Sequence, residues 1–572
     1  METPPICARF APFMCSNKNL FLLAVVGLLA GCAGTPALQQ PPPAIEVSIF
    51  SINDFHGHIQ SKSPTPLSPR LPNAKTGEIK PQAAGGVAYL ATVLNGLRSQ
   101  RKNQVFVAAG DLIGASPQMS SLLKDEPTLT ALGEMGLLAT SLGNHDLDRG
   151  VPELLSKTRG ECSEGACAWP EFKGPGFPYL AANMFDIATG KRVLPSHIIK
   201  EVGGLKFAFV GAVTRDTPKV VIPKSIVGMR FEDEADTLNA LVPELRAEGA
   251  QVLVAIVHEG AMYNGAANDP SYTCPGLQGR GVDIAKRLDP AYAIIISGHT
   301  HQAYTCKING RLFVQAGSFG GWLTESRLTF DTTGKLLDSQ AVNYPVLQAA
   351  NVPNPAFAAL VERAAALTTA ARNKPVALLS HGATRTASPP YGDTTLGNLV
   401  ADAHLAYAKK RTNVDIGMTN SGGIRADLTV VPGKTVTLSD LFAIQPFSNE
   451  LIVLTISGTQ LQELIRRQLH SRRVGGPATL QVSYNLHYQW SQAPGGEPVL
   501  ESLTVDGKPV NPTHDYRIVV NTFMAEGGDD LNVFKHGRNR EVVGMDIDAF
   551  AESLHENPKA VDQIAPGRIV KK

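Results

Sequence analysis

Five short runs of β-branched and apolar residues each stop abruptly at a polar cluster. Residues 47–52 lead into Asn53-Asp54-Phe55-His56, 105–109 into Gly110-Asp111, and 138–142 into Gly143-Asn144-His145-Asp146. Residues 252–257 end at His258-Glu259-Gly260, and 293–297 at Gly298-His299-Thr300-His301. Such runs predict strands, and in an α/β sheet the loops beyond the carboxyl ends of strands are where sites are built. All five loops are therefore expected to converge. Residues 353–371 differ: Ala-rich, apolar at helical spacing and charged only at Glu362 and Arg363, they predict a helix. Its Pro-flanked start and the composition change around it suit a connection between domains, although a core helix of either domain fits the same pattern.

With 572 residues, 43% hydrophobic and 18% charged, the chain has enough apolar material for two large globular domains. Lys and Arg number 52 against 51 Asp and Glu, a net charge of +1, so no global field favours a nucleic-acid polymer or an anionic surface. Residues 20–30 (LFLLAVVGLLA) form an uncharged apolar run, too short to span a bilayer but suited to the core of a signal peptide, with Lys18 before it. The run ends at Leu29-Ala30-Gly31-Cys32, which resembles a bacterial lipobox; that resemblance implies lipidation of Cys32, with Ala33 directing the chain to the outer membrane. An ordinary signal peptide cut nearby is the alternative. Met14 opens a conventional signal by itself, so Met1 and Met14 are both candidate starts. The expected division is a leader over 1–32, a Pro-rich tether over 33–44, a first domain over 45–347, a linker helix over 348–374 and a second domain over 375–572.

Cysteine usage agrees with export. Of seven cysteines, Cys7 and Cys15 fall in the leader and Cys32 carries lipid, leaving Cys162, Cys167, Cys274 and Cys306. An even number in an oxidising compartment predicts two disulfides, and Cys162–Cys167 with Cys274–Cys306 is the simplest of three pairings. No pair has the two-residue spacing of a zinc finger.

The polar clusters supply Asp54, His56, Asp111, Asn144, His258, His299 and His301, oxygen and nitrogen donors without a thiolate. Taken singly, each is more often an ordinary hydrogen-bonded residue. Seven together exceed one tetrahedral site and suit two divalent ions about 3.5 to 4 Å apart that share a carboxylate. Asp-x-His, Gly-Asp, Gly-Asn-His-Asp and Gly-His-x-His in this order resemble the calcineurin-like metallophosphoesterases, and within them the 5′-nucleotidase and UDP-sugar hydrolase branch. The resemblance covers most of the chain after the leader.

That resemblance implies an α/β chain of two domains: an N-terminal β-sandwich flanked by helices (αββα) and a C-terminal α+β substrate-binding domain, joined by a helix. It also implies that Asp54, His56 and His301 hold one ion, that Asn144, His258 and His299 hold the other, and that Asp111 bridges them. Mn, Zn and Co all suit these donors. His301 stands where some relatives have Gln or Asn. His145 corresponds to the family's catalytic His, and Asp148, three residues on, would orient it if a helix starts there. Two cations would activate a water and clamp phosphoryl oxygens, which is what hydrolysis of an anionic phosphoester needs.

Beyond residue 375 the ligand motifs stop. Asn420-Ser421-Gly422-Gly423-Ile424-Arg425 is a Gly-flanked loop ending in a cation, a shape that suits an anion. Phe447 in Pro446-Phe447-Ser448-Asn449, and Phe523 in the segment through Asp529, are aromatics with polar neighbours. By resemblance to the family's C-terminal motifs, Phe447 and Phe523 stack on the base, Asn449 and Asp529 contact the nucleoside, and Asn420, Gly423 and Arg425 face the phosphate or ribose. Gly397-Asn398-Leu399 matches the start of a helix in that domain. Relatives carry a further phosphate-binding Arg just before it. Here Arg385 lies at a different offset, which leaves the choice between mono- and diphosphate substrates open.

The function implied is metal-dependent hydrolysis of 5′-nucleotides to nucleoside and phosphate, with UDP-sugars or other nucleotide diphosphates as further substrates. Rival readings are a 2′,3′-cyclic-nucleotide phosphodiesterase with 3′-nucleotidase activity, a thiosulfohydrolase, and a surface lipoprotein that binds nucleotides without turnover. A base stack has no use in sulfate release, and a pure binder has no use for an intact nucleophile-generating centre. A serine-hydrolase reading fails because Ala316-Gly317-Ser318-Phe319-Gly320 lacks the first glycine of Gly-x-Ser-x-Gly. The expected partners are the nucleotide and, through the lipid alone, the membrane; no nucleic-acid polymer or protein partner is expected.

Overall fold

The computed structural model describes residues 44–60, 69–72, 79–162, 165–387, 392–470, 472–473, 476–477 and 480–572. The predicted leader, Cys32 and residues 33–43 of the tether lie outside the described residues.

Two six-stranded sheets form the N-terminal domain. The first runs in the order Leu336–Pro345, Trp322–Phe330, Ile45–Ile52, Gln104–Ala108, Ala139–Ser141, Tyr179–Leu180. The second runs Ala303–Ile308, Arg311–Ala316, Tyr292–Ser297, Val252–His258, Leu205–Val213, His197–Val202. Strand Ile45–Ile52 shows how sequence sets the layers. Val47 and Ile49 point into a core shared with Phe207, Val254 and Ile294 of the second sheet, whereas Phe50 and Ile52 face helices Val87–Arg98 and Glu126–Glu134. Both faces are buried, so apolar residues fall on both sides of the strand rather than on one, with Ser48 and Ser51 as buried polar exceptions. Helix Glu234–Ala247 covers the outer face of the second sheet through Leu238, Leu241 and Leu245. The result is the αββα sandwich.

Register brings the loops together. Ile52 lies opposite Ala108 and Ala108 opposite Thr140, so three parallel strands of the first sheet end level. Val257 opposite Ser297 does the same in the second sheet. The polar clusters after these strands therefore open at one edge of the sandwich.

Helix Pro355–Arg372 starts at Asn354, whose side chain accepts the Ala356 N–H at 3.1 Å. Its Phe357, Leu360, Val361 and Ala364 share the apolar cluster of helix Val87–Arg98, so this connecting segment also forms part of the N-terminal outer layer. The C-terminal domain is a five-stranded sheet in the order Leu480–Val482, Ile416–Asn420, Asp515–Asn521, Glu450–Ser457, Arg538–Met545, with a four-stranded sheet built on Leu486–Gln492 and Pro498–Val505. The Gly-Asn-Leu segment lies in helix Thr395–Lys409. Thr394 caps that helix through the Gly397 N–H, and a Cβ at Gly397 would meet the Gln481 side chain at 2.1 Å, so any larger residue would have to displace Gln481.

Both predicted disulfides are present, with Cα–Cα distances of 5.2 Å for Cys162–Cys167 and 5.7 Å for Cys274–Cys306. Glu126 lies close to the first pair, but sulfurs joined in a disulfide supply no thiolate for a metal. No helix among the described residues is long and apolar enough to cross a membrane.

Candidate active site

The seven predicted donors gather into two adjoining groups. Ligand atoms of Asp54, His56 and His301 lie within 4.8 Å of one another, as do those of Asp111, His258 and His299. Asn144 joins the second group, its Oδ1 standing 3.1 Å from His258 Nε2 and 2.9 Å from His299 Nδ1. Asp111 Oδ2 reaches both groups, at 3.1 Å from His258 Nε2 and 3.6 Å from His56 Nε2. Imidazole and carboxylate donors in two clusters around a shared carboxylate fit two divalent cations of the Mn, Zn or Co kind.

The backbone holds these side chains in an uncommon geometry. Asp54, His56, Asp111, His299 and His301 all have φ between 46° and 71°. Left-handed non-glycine residues cost about 1 to 3 kcal/mol each and persist only where surrounding structure enforces them. Enforcement comes from fixed acceptors and close approaches. His56 Nδ1 faces Gly114 O at 2.9 Å and His258 Nδ1 faces Ala109 O at 2.7 Å, which leaves each Nε2 toward the ligand group. Asp54 accepts the His299 N–H on both oxygens at 3.0 Å and an Asn53 Nδ2 hydrogen at 2.6 Å. A Cβ at Gly143 would meet Asp111 Oδ1 at 2.1 Å, so that loop needs glycine.

His145 opens a short 3₁₀ turn, His145–Leu147, and its Nδ1 stands 3.1 Å from both oxygens of Asp148. Burial disfavours the charged imidazole, but Asp148 and Asp111 outweigh it and raise its pKa above the ordinary value. Asp148 thus stands against the imidazole, at the place the i to i+3 spacing gives it. Two supporting residues were missed in the sequence. Asp146 accepts N–H groups of Asp111, Ile113 and Gly143, shaping the loop that carries three site residues. Asn53 ties the first strand's loop to residues 316–317. Each sits directly beside a recognised motif residue, and that adjacency was the available signal.

Asp111, Asn144, His145, Asp148, His299 and His301 line a cavity of about 640 Å³ whose other wall holds Asn420, Gly423, Arg425, Phe447, Asn449, Phe523 and Asp529. Every C-terminal residue singled out from the sequence as a substrate contact is on that wall. Arg385, left out of the predicted set, is there as well. Its Nη1 donates to Ile424 O at 3.0 Å, which places it beside Arg425. Burial, and then Arg385, pull the Arg425 guanidinium below its ordinary pKa range. Asn420 is held by Asn521 at 3.1 Å and in turn donates to Asp529 Oδ2 at 2.9 Å. Phe447 stacks on His145, with ring centroids 5.7 Å apart and planes 25° from parallel. Phe523 lies against Gly528, where a Cβ would meet its ring at 2.4 Å. The two aromatics therefore flank the cavity, one toward the reaction centre and one toward the segment that carries Asp529.

A fold of this kind, with two histidine–carboxylate clusters at the strand ends of a sandwich, defines a metal-dependent phosphoesterase. The family model for calcineurin-like phosphoesterase matches residues 47–303, and that for the 5′-nucleotidase C-terminal domain matches residues 369–536. The chain belongs to the 5′-nucleotidase family, a family of hydrolases. It is 29% identical to a Bacillus subtilis protein named endonuclease YhcR over 92% of this chain, spanning 41% of that protein's length. It is 25% identical to a 5′-nucleotidase of Vibrio cholerae over 97% of this chain and 98% of that one. The solved structure of a 5′-nucleotidase precursor from Thermus thermophilus has the same fold, with a TM-score of 0.74 at 22% identity over 92% of this chain and 99% of that chain.

Proposed function

We propose that this protein hydrolyses nucleoside 5′-monophosphates to nucleoside and phosphate. The observation that carries this reading is the shared cavity: His301 of the first ligand group, Asp111, Asn144 and His299 of the second, and the whole predicted nucleoside-binding set line one space. Asp54, His56 and His301 would hold one cation, Asn144, His258 and His299 the other, with Asp111 between them. The cations would supply Lewis acidity toward a water nucleophile and toward the phosphoryl oxygens.

The chain's own residues do the rest. His145, whose imidazolium form Asp148 favours, places an N–H donor at the edge of the reaction centre, where negative charge gathers on the transferring phosphoryl group. Arg425 and Arg385 line the cavity with no ion pair from either side chain among the described residues, so both remain available to an anion. Two guanidiniums exceed the need of one phosphate already clamped by cations. They favour acceptance of nucleotide diphosphates, UDP-sugars included, beside monophosphates. Phe447 and Phe523 offer flat apolar faces to the base, Asn420 and Asp529 present hydrogen-bonding groups to the ribose, and Asn449 faces the nucleoside with a buried Oδ1 that has no hydrogen-bond partner among the described residues.

Export as a lipoprotein anchored through Cys32 to the outer membrane is part of the same proposal. It is supported by the leader pattern and by two disulfides of the kind that persist in oxidising compartments. The helix Pro355–Arg372 is proposed as the hinge between the domains. The test of function is phosphate release from 5′-AMP by protein without residues 1–32, stripped with chelator and then supplied with Mn²⁺ or Zn²⁺. Metal-restored release is expected. Release of phosphate only after 2′,3′-cyclic AMP is supplied, with 5′-AMP inert, would transfer the assignment to cyclic-nucleotide hydrolysis.

A further inference from the structure

The first ligand group holds its three side chains unequally. The Asp54 carboxylate is gripped by Asn53 and by the His299 N–H, and His56 has Gly114 O behind its Nδ1. His301 has no backbone acceptor behind its ring among the described residues. Its polar neighbours are the other two donors of its own group, His56 Nε2 at 3.2 Å and Asp54 Oδ1 at 3.3 Å. A ligating imidazole normally has its second nitrogen fixed by an acceptor, and that fixes the ring's orientation. Here the fixing must come from elsewhere.

It comes from Phe319. The ring stands 5.4 Å from the His301 ring at 81° and 5.9 Å from the His56 ring at 66°, both near-perpendicular aromatic contacts. On another side His58 stacks on Phe319 at 4.0 Å and 20°. Phe319 is therefore wedged between one supporting imidazole and two ligating ones, and it also lines the substrate cavity. Its backbone is as constrained as the ligands are. Phe319 has φ 58°, donates its N–H to Asp54 O at 2.8 Å, and sits in a loop that Asn53 staples through Ala316 N and Gly317 O. The same Asn53 grips Asp54, so the ring and the carboxylate are placed by one amide. This is the Ala-Gly-Ser-Phe-Gly segment that has no role as a serine nucleophile.

We propose that Phe319 is a positioning residue, holding His301 in its ligating orientation and so setting the affinity of the first ligand group for a divalent cation. The inference rests on the two-cation reading above. Loss of an outer partner of a metal ligand typically lowers metal affinity about 10- to 100-fold.

The experiment is titration of the chelator-stripped protein with Mn²⁺ alone, read as ions bound per chain and as the affinity of each. Wild type is expected to bind two. Phe319→Ala should weaken one of the two by about 10- to 100-fold and leave the other at its wild-type affinity. Phe319→Leu keeps an apolar side chain without the ring and covers the case in which the Ala variant fails to fold. Phe319→Tyr should restore both affinities. The unfolding midpoint of the metal-free Leu variant should match that of wild type, which a role in general packing would not allow. Two ions bound at wild-type affinity in folded Ala or Leu variants would overturn the proposal, as would equal weakening of both. A wild type that binds fewer than two ions would instead overturn the two-cation reading beneath it, and the two failures are told apart by the wild-type titration.

Discussion

Asp111 and Asp546 are two aspartates of equal burial, each 1% exposed, one in each half of the molecule, and their pKa values are displaced in opposite directions. Around Asp111, burial disfavours the anion, but His258, His145 and His56 overrule it and hold the carboxyl well below the ordinary range. Around Asp546 there is no such cation among the described residues. Burial dominates, the Asn449 amide and backbone N–H groups compensate in part, and the carboxyl is pushed up to about 7. The N-terminal half is built to keep a buried negative charge between imidazoles, the arrangement a cation site needs. In the C-terminal half the same burial is met only by amide and backbone donors, and the carboxyl is left close to neutral.

The sharpest way to separate the halves is His145→Asn. A group that assists proton transfer or stabilises charge in the transition state contributes about 10² to 10⁴ in rate. The variant should lose that factor in kcat while retaining nucleotide affinity by equilibrium dialysis. An unchanged rate would remove His145 from the mechanism.

Asp546 offers a second break, through stability. Its folded pKa is raised above the ordinary 3.8, so the protonated form favours the fold. That contribution is complete below about pH 4 and lost as pH rises through about 7, by up to about 4 kcal/mol for a shift of this size. Urea unfolding of wild type and Asp546→Asn between pH 4 and 8 should show the wild type losing stability relative to the variant across that window. Parallel curves would show that Asp546 does not titrate there.

The smallest expected effect lies on the nucleoside wall. Base stacking is worth about 1 to 3 kcal/mol, so Phe523→Ala should raise KM for 5′-AMP by about tenfold and leave turnover of p-nitrophenyl phosphate, which has no nucleobase, unchanged. Phe447→Ala should disturb both substrates, because that ring also stacks on His145. Equal effects of the two variants on the base-free ester would erase the division of labour.

The two halves were also unequally legible in the sequence. Asp54, Asp111, Asn144, His258 and His299 could be read because each ends an apolar strand or follows one by a few residues, and level strand ends then bring them together. His145 and Asp148 needed only one turn of chain. The cysteine pairs were legible by count and proximity. The role of Arg385 was not, because it enters the cavity at an offset foreign to the family's pattern, through a bond to Ile424 O that no local spacing encodes. Nor was the stack of Phe447 on His145, which joins positions about 300 residues apart and depends on how two domains meet. Phe319 escaped notice because its partners are three histidines from distant segments, and nothing beside it in sequence carries chemistry.

The central claim is that one cavity holds two cations against the N-terminal half and a nucleoside against the C-terminal half. A crystal of the protein with Mn²⁺ and a non-hydrolysable 5′-AMP analogue, measured at the manganese absorption edge, tests it most directly. Two anomalous peaks about 3.5 to 4 Å apart on either side of Asp111, with the base between Phe447 and Phe523, are the predicted result. A single peak, or a nucleoside bound away from that pair of rings, would contradict it.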